Sequence, residues 1–104
     1  MAVSLRMEKL TADQAKTRLG STPGWALEGE TIRRKFTFAG FADAVAFVVR
    51  LGFDAEAADH HPDILVNYKR VTVTYSTHSA GGLTDKDFAG AAKANELARA
   101  MSAN

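Results

Sequence analysis

At 104 residues, with 46% hydrophobic and 24% charged side chains, the chain is long enough for one core and has the composition of a globular protein, not a disordered one. A net charge of +1 supplies no bulk field for nucleic acid or anionic membrane, and the absence of cysteine excludes disulfides, thiolate catalysis and thiolate zinc sites. No stretch approaches the ~20 apolar residues of a membrane span, and the N-terminal MAVSLRMEKLTADQAKTRLG has no apolar signal core, so a single cytoplasmic domain over 1–104 is expected.

Taken in chain order, Thr11 and Gln14 form a capping box that predicts a short helix over about 12–19, stopped by Gly20 and the STPG turn. In WALEGETIRRKFTF, Trp25 and Leu27 share a face ahead of a Gly-Glu turn, then Ile32, Phe36 and Phe38 alternate with Thr31, Arg33, Lys35 and Thr37. That pattern is a hairpin with one charge, Arg34, on its apolar face. From Phe41 the period changes: Phe41, Ala44, Val45, Val48, Leu51 and Ala55 stand three or four apart, predicting a helix to Ala58 that Pro62 forbids from continuing. DILVNYKRVTVTYSTH reads as a second hairpin, SAGG as a loop, and Thr84 with Asp87 as a second capping box opening an Ala-rich helix to about Met101.

The order α-β-β-α-β-β-α predicts an α+β fold, a four-stranded antiparallel sheet with three helices on one face. The TVTYS strand carries no charge or proline to protect it if it lies outermost, and the last helix is rich in small side chains. Both features predict self-association, with a homodimer as the minimum and a homotetramer as the alternative.

All three histidines, His60, His61 and His78, fall at element ends. A small sheet could gather them, offering side chains suited to proton transfer near neutral pH. Glu56, four residues before His60, and Asp59 are carboxylates available to orient them. Other uses stand beside this one: adjacent histidines can cap the last carbonyls of a helix, and three can bind zinc, although two consecutive side chains diverge where metal ligands on a helix usually sit four apart. Asp87 is accounted for by the capping box, Asp85 suits a helix first turn, and the basic pairs around Arg33–Lys35 and Lys69–Arg70 read as solvated strand and turn residues.

The string Glu56-x-x-x-His60-His61-Pro62, then Tyr68, then Ser76-Thr77-His78, then GGLTDKD with Asp87 resembles the signature of the pterin-4a-carbinolamine dehydratase family. The likeness extends over FADAVAFVVRLGFDAEAADHHP and the Gly24-Trp25 pair. It implies a metal-free, cofactor-free enzyme that dehydrates a 4a-hydroxytetrahydropterin to a quinonoid dihydropterin, in support of tetrahydrobiopterin recycling beside an aromatic amino acid hydroxylase. By the resemblance His60, His61 and His78 are catalytic, Asp59, Ser76, Thr77 and Ser79 line the pterin, and Glu56 and Asp87 support them. It also implies strands joined across a dimer, and in some members a dimer of dimers packed through helices. Some relatives carry an aromatic residue where this chain has Ile64, which would remove one stacking wall. Others act as non-enzymatic dimerisation partners of a transcription factor or are linked to molybdopterin metabolism, so a binding partner of the same fold is the alternative function.

Overall fold

The structure is a computed structural model that describes residues 8–104; the first seven residues, part of the stretch inspected for a signal core, lie outside it. The elements are α1 (Ala12–Gly20), β1 (Ala26–Glu28), β2 (Thr31–Thr37), α2 (Phe41–Ala58), β3 (Asp63–Asn67), β4 (Arg70–Tyr75), a 3-10 turn at His78–Ala80, and α3 (Asp85–Ala100). Both capping boxes form: the Thr11 hydroxyl accepts from Gln14 N–H while the Gln14 side chain takes the Thr11 N–H, and Thr84 and Asp87 do the same for α3. The sequence places a plain loop at SAGG, whereas His78, Ser79 and Ala80 coil into the 3-10 turn. Thr77 and Gly82 pair across its base.

The four strands form one antiparallel sheet in the order β1-β2-β4-β3. Ile32 pairs with Tyr75 and Phe36 with Val71 on the inward face, while Arg33 pairs with Thr74 and Lys35 with Thr72 on the open one. Strand alternation therefore sorts the sheet into a buried apolar side and a polar side. The TVTYS strand does not lie outermost: β4, which contains most of it, lies between β2 and β3. Its uncharged run needs no edge protection because both neighbours pair with it, and the edges are β1 and β3.

Residues from all three helices join the sheet in one core. The face that α2 turns inward differs from the sequence pattern. Ala44, Phe47, Leu51 and Ala55 are buried, whereas Phe41 and Val45 are exposed together with Val49 and Phe53. This helix is apolar nearly all round, so periodicity alone does not choose its inner face. Phe47 decides it, with ring centroids 5.1 Å from Phe36 and 4.9 Å from Phe38. Burial of such a side chain contributes roughly 2–3 kcal/mol. Ala91, Ala94 and Ala98 of α3 are buried within the chain, where their small size brings the helix close to the core.

Arg34 sits on the apolar face because its charge is met there. Its Nη1 donates to the Pro23 carbonyl (3.0 Å) and to Asn95 Oδ1 (2.8 Å), and its guanidinium lies 4.5 Å above the Phe36 ring. The same Asn95 oxygen accepts from Trp25 Nε1 at 2.8 Å. Gly24 adopts φ +89°, and a Cβ there would strike the Arg34 guanidinium, which explains why glycine precedes the buried tryptophan.

Candidate active site

The site begins where α2 stops. Asp59 takes a left-handed conformation (φ 51°, ψ 43°), and its N–H bonds back to the carbonyls of Ala55 and Glu56. The His60 N–H also returns to Ala55 O, at 3.1 Å, so backbone groups close the helix end. The reversal sends the two histidine side chains apart. His60 turns inward, its side chain 13% exposed, and places Nε2 2.6 Å from Asp87 Oδ1. His61 stays at the surface and meets Glu56 Oε1 through its own Nε2, at 2.7 Å.

The carboxylate serving His60 is therefore Asp87, and Glu56 serves His61. The i,i+4 relation of Glu56 to His60 does not operate because helical geometry ends at Ala58, two residues too early. Asp87, which the capping box alone explains in the sequence, is fully buried and does more than cap. Its Oδ2 accepts from Thr84 N–H (2.9 Å) and from Thr77 Oγ1 (2.8 Å). Since the single Thr77 hydroxyl proton goes to Asp87, the 2.9 Å contact between Thr77 and Thr84 must be donated by Thr84, whose oxygen accepts from Lys86 N–H. The donors run in one direction and end on a carboxylate that holds His60. With Asp87 ionised, His60 Nε2 is the donor of the pair.

On its other side His60 stacks on Tyr75, with centroids 5.8 Å apart and planes 16° from parallel. Tyr75 comes from the buried face of β4, and a Cβ on Gly90 would lie 2.5 Å from its Cζ, so only glycine admits the ring against α3. Burial first, then the carboxylates of Asp87 and Asp54, push the Tyr75 phenol above its ordinary range. The native state thus keeps a proton that the unfolded chain loses above pH ~10, and this residue makes stability fall by up to ~1.4 kcal/mol per pH unit beyond that point while leaving it unchanged below. Urea midpoints are expected to drop less between about pH 8 and about pH 11 in Tyr75→Phe than in the parent; equal drops would show that the phenol carries no such linkage.

His78 opens the 3-10 turn and makes no side-chain hydrogen bond among the described residues. It lies beside a hollow of about 440 Å³ whose walls include Asp59, His60, His61, Ser76, Thr77 and Ser79. Every residue expected from the sequence to be catalytic or to line the substrate borders this one hollow. Lys86 also lines it; the GGLTDKD string contains it, but a lysine within a helix first turn has no distinctive spacing that would single it out. Beyond a ridge made by His61, Ser76 and His78, a second depression of about 340 Å³ runs over the open face of the sheet past Thr31 and Thr74. Thr77 borders the hollow but is nearly fully buried, with its hydroxyl given to Asp87. Ser76 donates to the Glu30 carbonyl at 2.9 Å, tying the β1–β2 turn to the rim. Tyr68 is not brought to the hollow: it occupies the β3–β4 turn, about 17 Å from the histidine end of β3 by strand rise. Ile64 packs against the core.

Among the described residues, no group of three or more histidine and carboxylate side chains is placed to share a metal ion, and no helix is long and apolar enough to cross a membrane. The sequence pattern of the family described as "Pterin 4 alpha carbinolamine dehydratase" matches residues 8–97. The chain belongs to that family. Its relatives include proteins named "Putative pterin-4-alpha-carbinolamine dehydratase" from Roseiflexus castenholzii, 49% identical over 81% of this chain and 90% of the relative, and from Chloroflexus aurantiacus, 47% identical over 88% and 98%. Among solved structures, a "transcriptional coactivator/pterin dehydratase" from Brucella melitensis superposes with a TM-score of 0.84 at 38% identity, covering 88% of this chain and 99% of that one. A pterin dehydratase-like protein described as a RuBisCO assembly factor in the alpha-carboxysome superposes at 0.63 with 26% identity, over 72% and 89%. As a pterin carbinolamine dehydratase family member, the chain carries the double histidine, the later histidine and the buried aspartate in one spatial cluster.

Proposed function

We propose that the hollow binds a 4a-hydroxytetrahydropterin and removes water from it by histidine acid–base catalysis. The observation that carries this reading is the convergence of His60, His61 and His78 on one polar hollow in a chain of the dehydratase family. In the reaction the C4a–O bond breaks as the hydroxyl takes a proton and leaves as water, while the neighbouring ring nitrogen loses a proton and forms a double bond to C4a. One proton is given and one is taken, so a donor and an acceptor on either side of C4a suffice. His61 and His78, the two exposed imidazoles on the ridge, act as that pair. His60, fixed by Asp87 and Tyr75, assists from the inner wall. Asp59, Ser76 and Ser79 supply polar contacts to the pterin ring, Thr77 acts through Asp87, and Glu56 orients His61.

The activity requires neither metal nor organic cofactor, and it would serve tetrahydrobiopterin recycling in the cytoplasm, where an aromatic amino acid hydroxylase generates the carbinolamine. A homodimer or homotetramer is supported by the β3 edge, with Leu65 exposed, and by the exposed row Phe41, Val45, Val49 and Phe53 along α2. The same row favours the second reading, a protein-binding role of the kind named for the coactivator and assembly-factor relatives. The purified chain is expected to speed formation of quinonoid dihydropterin from synthetic 4a-hydroxytetrahydropterin equally with and without chelator. Dependence on added zinc would overturn the metal-free chemistry.

A further inference from the structure

We propose that the cleft between α2 and α3 is a second binding site, one that takes a small aromatic carboxylate. The cleft holds about 310 Å³ and lies behind the hollow, with His60 and Lys86 lining both spaces. Its walls include Leu51 and Ala55 from α2, and Ala89 and Gly90 from α3. A volume of this size, walled by apolar groups with a few polar ones, is the usual form of a small-ligand site.

Small residues alone would mark close helix packing, but Tyr75 shows that this space is open. Tyr75 is only 2% exposed, yet its hydroxyl makes no hydrogen bond among the described residues. No sealed side-chain polar atom in the described chain lacks a partner, so the hydroxyl must reach the open cleft. A Cβ on Gly90 would stand 2.9 Å from that oxygen, which places the phenol tip at the α3 wall. A buried hydroxyl in this position offers a proton to an acceptor, and an apolar filler would leave it unpaired at a cost of about 1–3 kcal/mol. The ligand therefore needs an oxygen acceptor on an apolar body.

Charge selects the acceptor. Lys86 and Lys93 line the cleft against one lining carboxylate, Asp54, while the Asp87 carboxylate behind the phenol is already bound to His60, Thr77 and Thr84. Lys93 is 3.6 Å from Glu96 at the exposed surface, an arrangement that holds it weakly, and Lys86 has no ion pair among the described residues. An anionic carboxylate answers both the phenol and the excess of ammonium groups among the lining residues, while the apolar walls accept an aromatic ring.

Titration of the ¹⁵N-labelled full chain with 2-naphthoate tests the assignment. Saturable amide shifts are expected at Ala55, Ala58, Ala89 and Gly90, with movement of the His60 ring resonances. The neutral probe 2-naphthamide should bind about tenfold more weakly, and Tyr75→Phe should weaken 2-naphthoate by about 5- to 10-fold. Ala89→Phe, a change at an exposed position that fills the cleft, should abolish binding while the spectrum stays dispersed. Absence of saturable shifts, shifts confined to Asp59, Ser76 and Ser79 of the other hollow, or unaltered binding in both variants would overturn the proposal.

Discussion

Replacing His61 or His78 by alanine is expected to lower dehydration about 10²-fold or more in each case, as loss of a general acid or base does, with little change in stability. The two effects separate because of where the side chains sit. His78 is exposed and makes no side-chain hydrogen bond among the described residues, and His61 joins only the exposed Glu56. Surface changes of that kind usually stay within about 0.5 kcal/mol. Denaturant midpoints near the parent value beside a collapsed rate would place the effect in chemistry. Folded variants with normal rates would move the chemistry away from the ridge. Because the two residues act as a unit in one elimination, the double variant should fall little below the worse single one.

Asp87→Ala should be the most damaging single change to the structure of the site. It leaves the Thr84 N–H and the Thr77 hydroxyl without their acceptor in a buried setting and strips His60 of its partner. The expected destabilisation is about 1–3 kcal/mol for each buried donor left without its acceptor, the Thr77 hydroxyl and the Thr84 N–H. Asp87→Asn distinguishes cap from catalysis. Its amide oxygen can still accept from Thr77 and Thr84, but its NH₂ group then faces His60 Nε2, which must become an acceptor and move its proton to Nδ1. Stability should suffer much less than in Asp87→Ala, while ¹⁵N shifts report the exchanged tautomer and the rate falls about 10-fold or more. An Asn variant with parent rate and an altered tautomer would show that His60 has no part in proton transfer.

These contrasts also mark how far local sequence reaches. The capping boxes at Thr11 and Thr84, the stop before Pro62 and the strand alternation are short-range signals, and the element boundaries follow them closely. The inner face of α2 was not legible, because Phe41, Val45, Phe47 and Val49 are equally apolar and only contact with Phe36 and Phe38 separates them. Strand order was hidden for the same reason, since pairing of β2 with β4 joins segments more than 30 residues apart. At the site, the histidines, Asp59, Ser76 and Ser79 were named by pattern and resemblance. The exchange of partners, with Asp87 on His60 and Glu56 on His61, follows from the left-handed Asp59, a backbone feature without a sequence spacing of its own. Thr84 as a donor to Thr77, Tyr75 behind His60, and Lys86 between two spaces arise from tertiary contact alone.

The central claim is that three placed imidazoles, and not imidazole as such, remove water from a pterin carbinolamine. Stopped-flow decay of 4a-hydroxytetrahydropterin, with the chelator-treated chain in excess over substrate, tests it against free imidazole at three times the protein concentration. The decay rate should rise with protein concentration to a plateau at least about 10²-fold above the free-imidazole control. Decay at the control rate, with no plateau, would contradict it.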